Sequence, residues 1–143
     1  MTVYCDASLI VVSLATEPLS PVASAFVFEQ PDSALAISPW VNTEGASALA
    51  MKVRQGVLSD PQRITLLLEW CEVAAALTLV PVDSMHFELA ESLVDKGRRG
   101  LRAGDSLHLA IALRVGYALA TLDRDLADAA EAVGVEVALR PPT

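Results

Sequence analysis

Four acidic residues, far apart along the chain, have side chains that could act together in catalysis. They are Asp6, Glu44, Asp105 and Asp123. Carboxylates gathered in one pocket repel one another and take up protons unless a cation compensates them. Oxygen ligands without His or Cys favour Mg²⁺ or Mn²⁺ over zinc. If the fold brings these residues together, the sequence predicts a divalent-metal site suited to phosphoryl chemistry.

Each of these acids also has a purely structural interpretation. Asp6 and Asp105 could each cap a helix, and Glu44 could be an acid that suits the first turn of a helix. Asp123 competes with the nearby Asp125 and Asp128, and a solvated acidic helix start would explain all three. The prediction of a site therefore depends on whether the fold places the four at one edge.

Short apolar runs alternate with longer helical segments, which predicts an α/β fold with a parallel sheet. The predicted strands are Val3 to Asp6, Ala34 to Ser38, Leu77 to Pro81, Ala118 to Leu122 and Val135 to Leu139. The predicted helices cover about 8–15, 20–30, 42–55, 59–76, 83–96, 103–115 and 124–133, with Asn42 or Thr43 capping the third. Because the chain has no repeat or interdomain linker, we expect one domain over 1–143.

The predicted elements direct all four acids to one edge of the sheet. Asp6 and Asp123 each follow a strand, and polar ligands of parallel sheets collect at the carboxyl ends of strands. Glu44 is predicted to open the helix after the second strand. Helix 103–115 runs directly into the fourth strand, so its first turn, with Asp105, must lie at the carboxyl edge as well.

The charge distribution is uneven. A net charge of −8 argues against phosphate binding over the whole surface. Residues 1–51 contain no Lys or Arg, and the densest basic cluster comprises Lys96, Arg98, Arg99 and Arg102. This cluster is either a solvated helix end or a contact for phosphate groups, and in the second case Arg98, Arg99 and Arg102 are the candidates.

The hydrophobic fraction of 53% raises the question of a membrane segment. The best candidate, 64–82, is interrupted by Glu69 and Glu72, and charges inside a bilayer are costly. No basic residue precedes Lys52, although a secretory signal needs a basic start. We therefore expect a cytoplasmic protein.

Cysteine and histidine residues offer little further chemistry. Cys5 and Cys71 stand in apolar surroundings and are expected to be small buried side chains. His86 is expected on the surface of a helix. His108 follows Asp105 by three residues and shares its helix face, so it could touch the pocket or pack in the core. We do not assign it as a general base.

Three segments resemble the PIN-domain family. Asp6-Ala7-Ser8 resembles the start of PIN domains, and of VapC-type toxins in particular. The run from Leu101 to Ala110 resembles the most recognisable segment of the family. The run from Tyr117 to Leu126 resembles its closing strand and acidic turn. The resemblance spans essentially the whole chain in the expected order.

The resemblance implies a three-layer α/β/α fold with five parallel strands in the order 3-2-1-4-5. It implies that the four acids are catalytic and bind Mg²⁺ or Mn²⁺. Ser8 and Thr121 match small polar positions beside the pocket and are candidate substrate contacts. Ala7 departs from the pattern where many relatives carry Thr, which removes a hydroxyl but no metal ligand.

The function implied is an endoribonuclease, the toxin of a type II toxin–antitoxin pair, held inactive by a VapB-like antitoxin and frequently a homodimer. The alternative is a non-catalytic PIN-like module that binds RNA or protein. A phosphatase or phosphotransferase of the haloacid-dehalogenase type needs a second Asp two residues after the first. That position is Ser8, which argues against this class.

Overall fold

The computed structural model describes residues 1–143 and contains one sheet of five short strands. The strands are β1 (Val3–Cys5), β2 (Leu35–Ile37), β3 (Thr78–Leu79), β4 (Ala118–Ala120) and β5 (Val137–Leu139). They lie in the order β3-β2-β1-β4-β5, and every neighbouring pair is parallel. The predicted strand order is confirmed.

Seven helices connect the strands. They are α1 (Ala7–Leu14), α2 (Ser20–Glu29), α3 (Pro39–Arg54), α4 (Asp60–Ala76), α5 (Ser84–Glu91), α6 (Ala103–Val115) and α7 (Arg124–Ala132). α1 packs on α2 and α3, and α3 packs on α4, whereas α6 packs on α5 and α7. The crossovers from β1 through β2 to β3 run in one direction across the sheet, and those from β3 to β4 and on to β5 run in the other. Because crossovers between parallel strands are right-handed, the two groups of helices lie on opposite faces of the sheet. The predicted α/β/α fold is confirmed.

The central strands and α6 form the most buried part of the molecule. Every residue of β1, β2 and β4 is buried, whereas the edge strands β3 and β5 are not. In α6 the run from Ser106 to Ala112 is buried without a gap. Parallel strands covered on both faces are expected to be apolar throughout, which accounts for much of the hydrophobic composition. No helix combines the length and apolar character needed to cross a membrane.

Local signals in the sequence explain where several helices begin and end. Asp6, Ser59, Asp83 and Asp123 each accept a hydrogen bond from a backbone N–H at the start of α1, α4, α5 and α7. Such caps satisfy donors that the helix itself leaves free. Gly116 ends α6 with a φ of +74°, a conformation that glycine adopts without side-chain clash. The chain thereby turns from α6 directly into β4.

The start of α3 differs from the prediction. The helix begins at Pro39, with Ser38 as its N-cap, rather than at Asn42 or Thr43. Proline suits the first helical position because its φ is already helical and its missing N–H is not needed there. Glu44 therefore lies in the second turn of α3, and the expectation that it opens the helix is wrong.

Two side chains on the outer helices also differ from expectation. His86 on α5 is 4% exposed rather than on the surface, because its Nδ1 accepts the backbone N–H of the cap residue and so completes the cap. Cys71 on α4 is exposed rather than buried, since its neighbour Trp70 takes the buried position. Cys5 is buried, as expected. α5 ends at Glu91 and not near residue 96.

Leu109→Ala should lower the free energy of unfolding by about 2–5 kcal/mol, because Leu109 is fully buried in α6 and its truncation leaves a cavity. Urea titration followed by circular dichroism measures the change. Leu68→Ala on α4, where the side chain is 63% exposed, is the matched control and should cost under about 0.5 kcal/mol. Equal losses in the two variants would contradict the assignment of α6 to the core.

Candidate active site

The site lies where the strand order reverses. The chain continues from β1 to β2 on one side, and β4 lies on the other side of β1. A crevice opens at the carboxyl ends of strands at such a switch point, and ligands of open α/β sheets bind there. A cavity of 280 Å³ lies at this edge, and all four predicted acids line it: Asp6, Glu44, Asp105 and Asp123. We call it the acidic cavity.

The Asp6 carboxylate is held by three donors. Its Oδ1 accepts the Ser8 hydroxyl at 2.7 Å and the Leu9 backbone N–H at 3.1 Å. Its Oδ2 accepts the Thr121 hydroxyl at 2.6 Å. Asp6 is 2% exposed, and this burial raises its pKa although His108 and the hydrogen bonds act in the opposite direction. The orientation of this carboxylate is thus fixed by the protein itself.

Ser8 and Thr121 are predicted to contact the substrate, and in the structure their hydroxyls bond to protein groups around Asp6. Thr121 has no exposed surface, and its Oγ1 also accepts the backbone N–H of Asp123 at 2.9 Å. The Ser8 Oγ accepts the backbone N–H of Leu122 at 3.0 Å and lies in the wall of the acidic cavity. Both hydroxyls join the end of β1 to the end of β4, and Thr121 is too deeply buried to touch a substrate.

Asp105 and Asp123 face the acidic cavity from the starts of two helices. Asp105 lies in the first turn of α6, as predicted, and Asp123 is the N-cap of α7. Burial, and then the charge of Asp123, raise the pKa of Asp105 to about 6. Glu44 and Asp6 add to this effect, whereas His108 opposes it. Burial and the negative charge of the neighbouring carboxylates therefore act together on Asp105.

Glu44 meets His108 at the inner wall of the acidic cavity. The His108 Nε2 lies 2.8 Å from the Glu44 Oε1. The two atoms are close but poorly aligned for a hydrogen bond, and both are buried without another partner. His108 is 1% exposed, so it packs in the core and touches the pocket at the same time.

The basic cluster lies beside the acidic cavity. Arg98 and Arg99 line a neighbouring depression that includes Asp123. Arg99 and Arg102 line a second one with Asp105 and Asp123. Because these depressions share carboxylates with the acidic cavity, the three form a continuous surface along the carboxyl edge.

Lys52 is the one Lys or Arg that lines the acidic cavity, and the sequence-based predictions do not include it. It follows Glu44 on α3 by eight residues, and this spacing, which places the two on one helix face, is a signal that could have indicated it. Its Nζ pairs with the Glu17 Oε1 at 2.6 Å. Much of its charge is therefore already compensated before it reaches the four carboxylates.

The residues of the acidic cavity fit a divalent cation in charge and ligand type. No group of three Asp, Glu, His or Cys side chains stands at metal-ligand spacing in the structure. The fit is one of donor chemistry: hard carboxylate oxygens suit Mg²⁺ or Mn²⁺. Burial raises the pKa of Asp105 most, and the charges of neighbouring carboxylates raise it further; a bound divalent cation would offset the part due to these charges.

Comparison with known proteins links this geometry to a family. The family model described as PIN domain matches residues 3–132. No curated protein sequence matches significantly.

Three solved structures illustrate the similarity in fold. VapC20 of Mycobacterium tuberculosis, described as a sarcin–ricin loop cleaving toxin, has a TM-score of 0.69 at 16% identity, covering 88% of this chain and 93% of that one. FitAcB of Neisseria gonorrhoeae has a TM-score of 0.69 at 18% identity, covering 95% and 96%. VapBC2 of Rickettsia felis, bound to a promoter DNA fragment, has a TM-score of 0.66 at 16% identity, covering 96% and 97%. At these identities the similarity is one of fold.

Asp123→Asn should lower the pKa of Asp105, because it removes the charge that ranks second to burial in raising it. Asparagine can still accept the Leu126 N–H that caps α7, so the fold is kept. Carboxyl ¹³C NMR titration with a chelator present measures the pKa. Asp60→Asn, at the exposed start of α4, is the control and should leave the pKa of Asp105 unchanged.

The same substitution should flatten the pH dependence of stability. A carboxyl whose pKa rises from 3.8 to about 6 on folding binds protons more tightly in the folded state, so stability falls as pH rises through that interval. Because Asp105 is partly solvated, the loss is on the order of 1 kcal/mol. Urea unfolding of metal-free protein across the interval measures it. An unchanged slope in Asp123→Asn would contradict the coupling between the two carboxylates.

Proposed function

The chain belongs to the PIN-domain family, and on this premise we propose that it is a metal-dependent endoribonuclease, the toxin of a VapBC-like toxin–antitoxin pair. The observation that carries the proposal is the convergence of Asp6, Glu44, Asp105 and Asp123 on one cavity at the switch point of the sheet. Four anions placed together at a ligand-binding edge are costly unless they serve a cation.

The proposed roles follow from the surroundings of each carboxylate. Asp6, Asp105 and Asp123 are the principal ligands for Mg²⁺ or Mn²⁺, and Glu44 completes the set or orients the attacking water. When bound, the cation would polarise the phosphate and activate water for in-line displacement. Ser8, Leu9 and Thr121 already fix the orientation of the Asp6 carboxylate. Binding of a cation therefore requires little further ordering of this side chain.

The arginine surface supports RNA as the substrate. Arg98, Arg99 and Arg102 are exposed beside the acidic cavity, where they can meet phosphates on either side of the one being cleaved. An acidic cavity alone would repel the RNA backbone. The adjoining cations offset this repulsion along the path that leads to Asp105 and Asp123.

An apolar groove supports a VapB-like antitoxin as partner. It runs along the ends of α1 and α3 and the start of α4, and Leu14, Val57 and Leu66 are among its lining residues. Glu17 and Lys52 line both this groove and the acidic cavity. An antitoxin segment with an apolar face for the groove and an Arg or Lys for the carboxylates would fit both and exclude the metal.

The same proposal includes a single domain over 1–143, a cytoplasmic location and a homodimer.

An apolar depression on the side of α5 supports the homodimer. Phe87 and Val94 are exposed there and line it together with Trp40. A second copy of the chain would cover this surface. The alternative function, a non-catalytic PIN-like module that binds RNA or protein, predicts the same fold without metal binding.

Asp105→Asn should abolish Mn²⁺-dependent RNA cleavage, with a loss of at least about a hundredfold, because one anion of the metal site is removed. The fold should be kept, since Asp105 makes no hydrogen bond that a cap or the core requires. Cleavage is measured on a panel of transfer, ribosomal and messenger RNA that includes a sarcin–ricin loop oligonucleotide. Mn²⁺ binding is followed by electron paramagnetic resonance.

Asp95→Asn, an exposed acid outside the acidic cavity, is the matched control and should keep full activity. Undiminished cleavage by the Asp105 variant would refute the proposed site. Wild-type protein that binds RNA but neither binds Mn²⁺ nor cleaves any RNA of the panel would favour the non-catalytic module instead.

Replacing Arg98 and Arg99 by Ala should weaken binding of RNA and reduce its salt dependence, by about 0.7 in the log–log slope for each phosphate that is no longer neutralised. Fluorescence anisotropy with a chelator present separates binding from cleavage. Arg63→Ala on α4, which removes the same kind of charge far from the arginine surface in sequence, should leave the slope unchanged. Identical slopes in all three proteins would exclude Arg98 and Arg99 from the RNA interface.

A further inference from the structure

A chain of buried polar groups lies behind the acidic cavity. The Tyr4 hydroxyl is 2.8 Å from the Ser38 Oγ and 2.8 Å from the His108 Nδ1. The other ring nitrogen of His108 faces Glu44 at 2.8 Å. Tyr4, Ser38 and His108 have almost no exposed surface. These polar groups therefore connect the middle of β1 and the residue after β2, through His108 on α6, to Glu44 at the cavity.

The contacts determine which nitrogen of His108 carries a proton. An unprotonated Nε2 would place its lone pair against the carboxylate oxygen of Glu44, which is repulsive at 2.8 Å. The Tyr4 phenol carries a proton at neutral pH and can donate it to Nδ1 while accepting from Ser38. In the neutral His108 ring the proton is then on Nε2. In the cationic ring both nitrogens are protonated, so Nε2 carries a proton in either form.

Glu44 is also confined from another side by the same helix. A Cβ on Gly104 would stand 3.2 Å from the Glu44 Oε1 and 3.3 Å from the Trp40 ring. The Trp40 Nε1 in turn donates to the Gly104 carbonyl at 3.3 Å. α6 thus supplies Asp105 to the acidic cavity. Two other residues of the same helix, Gly104 and His108, restrict the orientation of the Glu44 side chain.

We propose that His108 is a positioning residue: the approach of its Nε2–H to within 2.8 Å of the Glu44 Oε1, an electrostatic contact rather than an aligned hydrogen bond, holds Glu44 toward the bound cation and its water. Tyr4 and Ser38 hold the ring in the tautomer that this contact requires. The inference rests on the proposed function, because Glu44 needs an orientation only if the acidic cavity binds a cation. A histidine that merely filled the core would need no donor on Nε2. Groups behind a ligand that fix its orientation commonly contribute to metal affinity.

The test measures Mn²⁺ affinity by electron paramagnetic resonance in the full chain. His108→Leu, which fills the space but cannot donate, should weaken Mn²⁺ binding about tenfold. His108→Gln, whose amide can still donate toward Glu44, should recover most of the loss. Tyr4→Phe, which removes only the hydroxyl that fixes the ring, should lie between the two.

A double-mutant cycle separates positioning from general structural damage. In a Glu44→Gln background, His108→Leu should change Mn²⁺ affinity by less than about twofold, because the partner through which it acts is gone. His86→Gln is the matched control: this second buried histidine lies on α5, outside the acidic cavity, and its loss should leave Mn²⁺ affinity unchanged. An equal loss from His108→Leu in both backgrounds would overturn the inference.

A measurement without metal tests the same contact independently of the proposed function. Long-range ¹H–¹⁵N correlation spectra distinguish protonated from unprotonated ring nitrogens, and the His86 variant assigns the signals. A proton on the His108 Nε2 whose resonance shifts in Glu44→Gln supports the contact through which His108 acts, whereas a wild-type chain that binds no Mn²⁺ would refute the proposed metal site and the positioning role with it. A proton on Nδ1 alone, or a ring unaffected by Glu44→Gln, overturns the inference.

Discussion

A buried carboxylate determines how the centre of this molecule is built. Asp6 has almost no contact with water, so its oxygens must find donors within the protein. Ser8 and Leu9 supply two from the same segment, and Thr121 supplies the third from the end of β4. That third bond crosses the switch point of the sheet. The pairing of β1 with β4 and the orientation of the first acid of the cavity therefore depend on each other.

Most of the fold could be predicted because its signals are local. The Ser59-Asp60-Pro61 start of α4 and Gly116 at the end of α6 identify boundaries from a few neighbouring residues. The prediction is wrong at α3, where Ser38-Pro39 begins the helix one turn before the expected cap. Ser38 also suits the end of the preceding strand, so two local signals compete there and the proline prevails. Local chemistry decides the boundary in both cases.

The positions of the site residues could be predicted from the order of strands and helices, but several contacts between them could be seen only in the packed structure. Asp6, Asp105 and Asp123 adjoin strand ends or helix starts, so topology alone places them at one edge. Tyr4 and His108 are 104 residues apart, and nothing in their local sequence indicates that they touch. The position of Thr121 beside the cavity is predictable in the same way as that of the acids. The hydrogen bond from its hydroxyl to Asp6 is not predictable from the sequence, because it depends on how deeply β4 is buried.

Four residues at the start of α6 contact four different parts of the molecule. Gly104 lies against α3, Asp105 faces the cavity, the Ser106 hydroxyl donates to a carbonyl of α5, and His108 joins Tyr4 to Glu44. At positions with so many contacts, most substitutions reduce the stability of the fold or disturb the acidic cavity. This gives a physical reason why the segment around Asp105 is recognisable as a family motif, although the chain shares only 16% of its residues with a structural neighbour. Packing and chemistry thus constrain the same few residues at the start of α6.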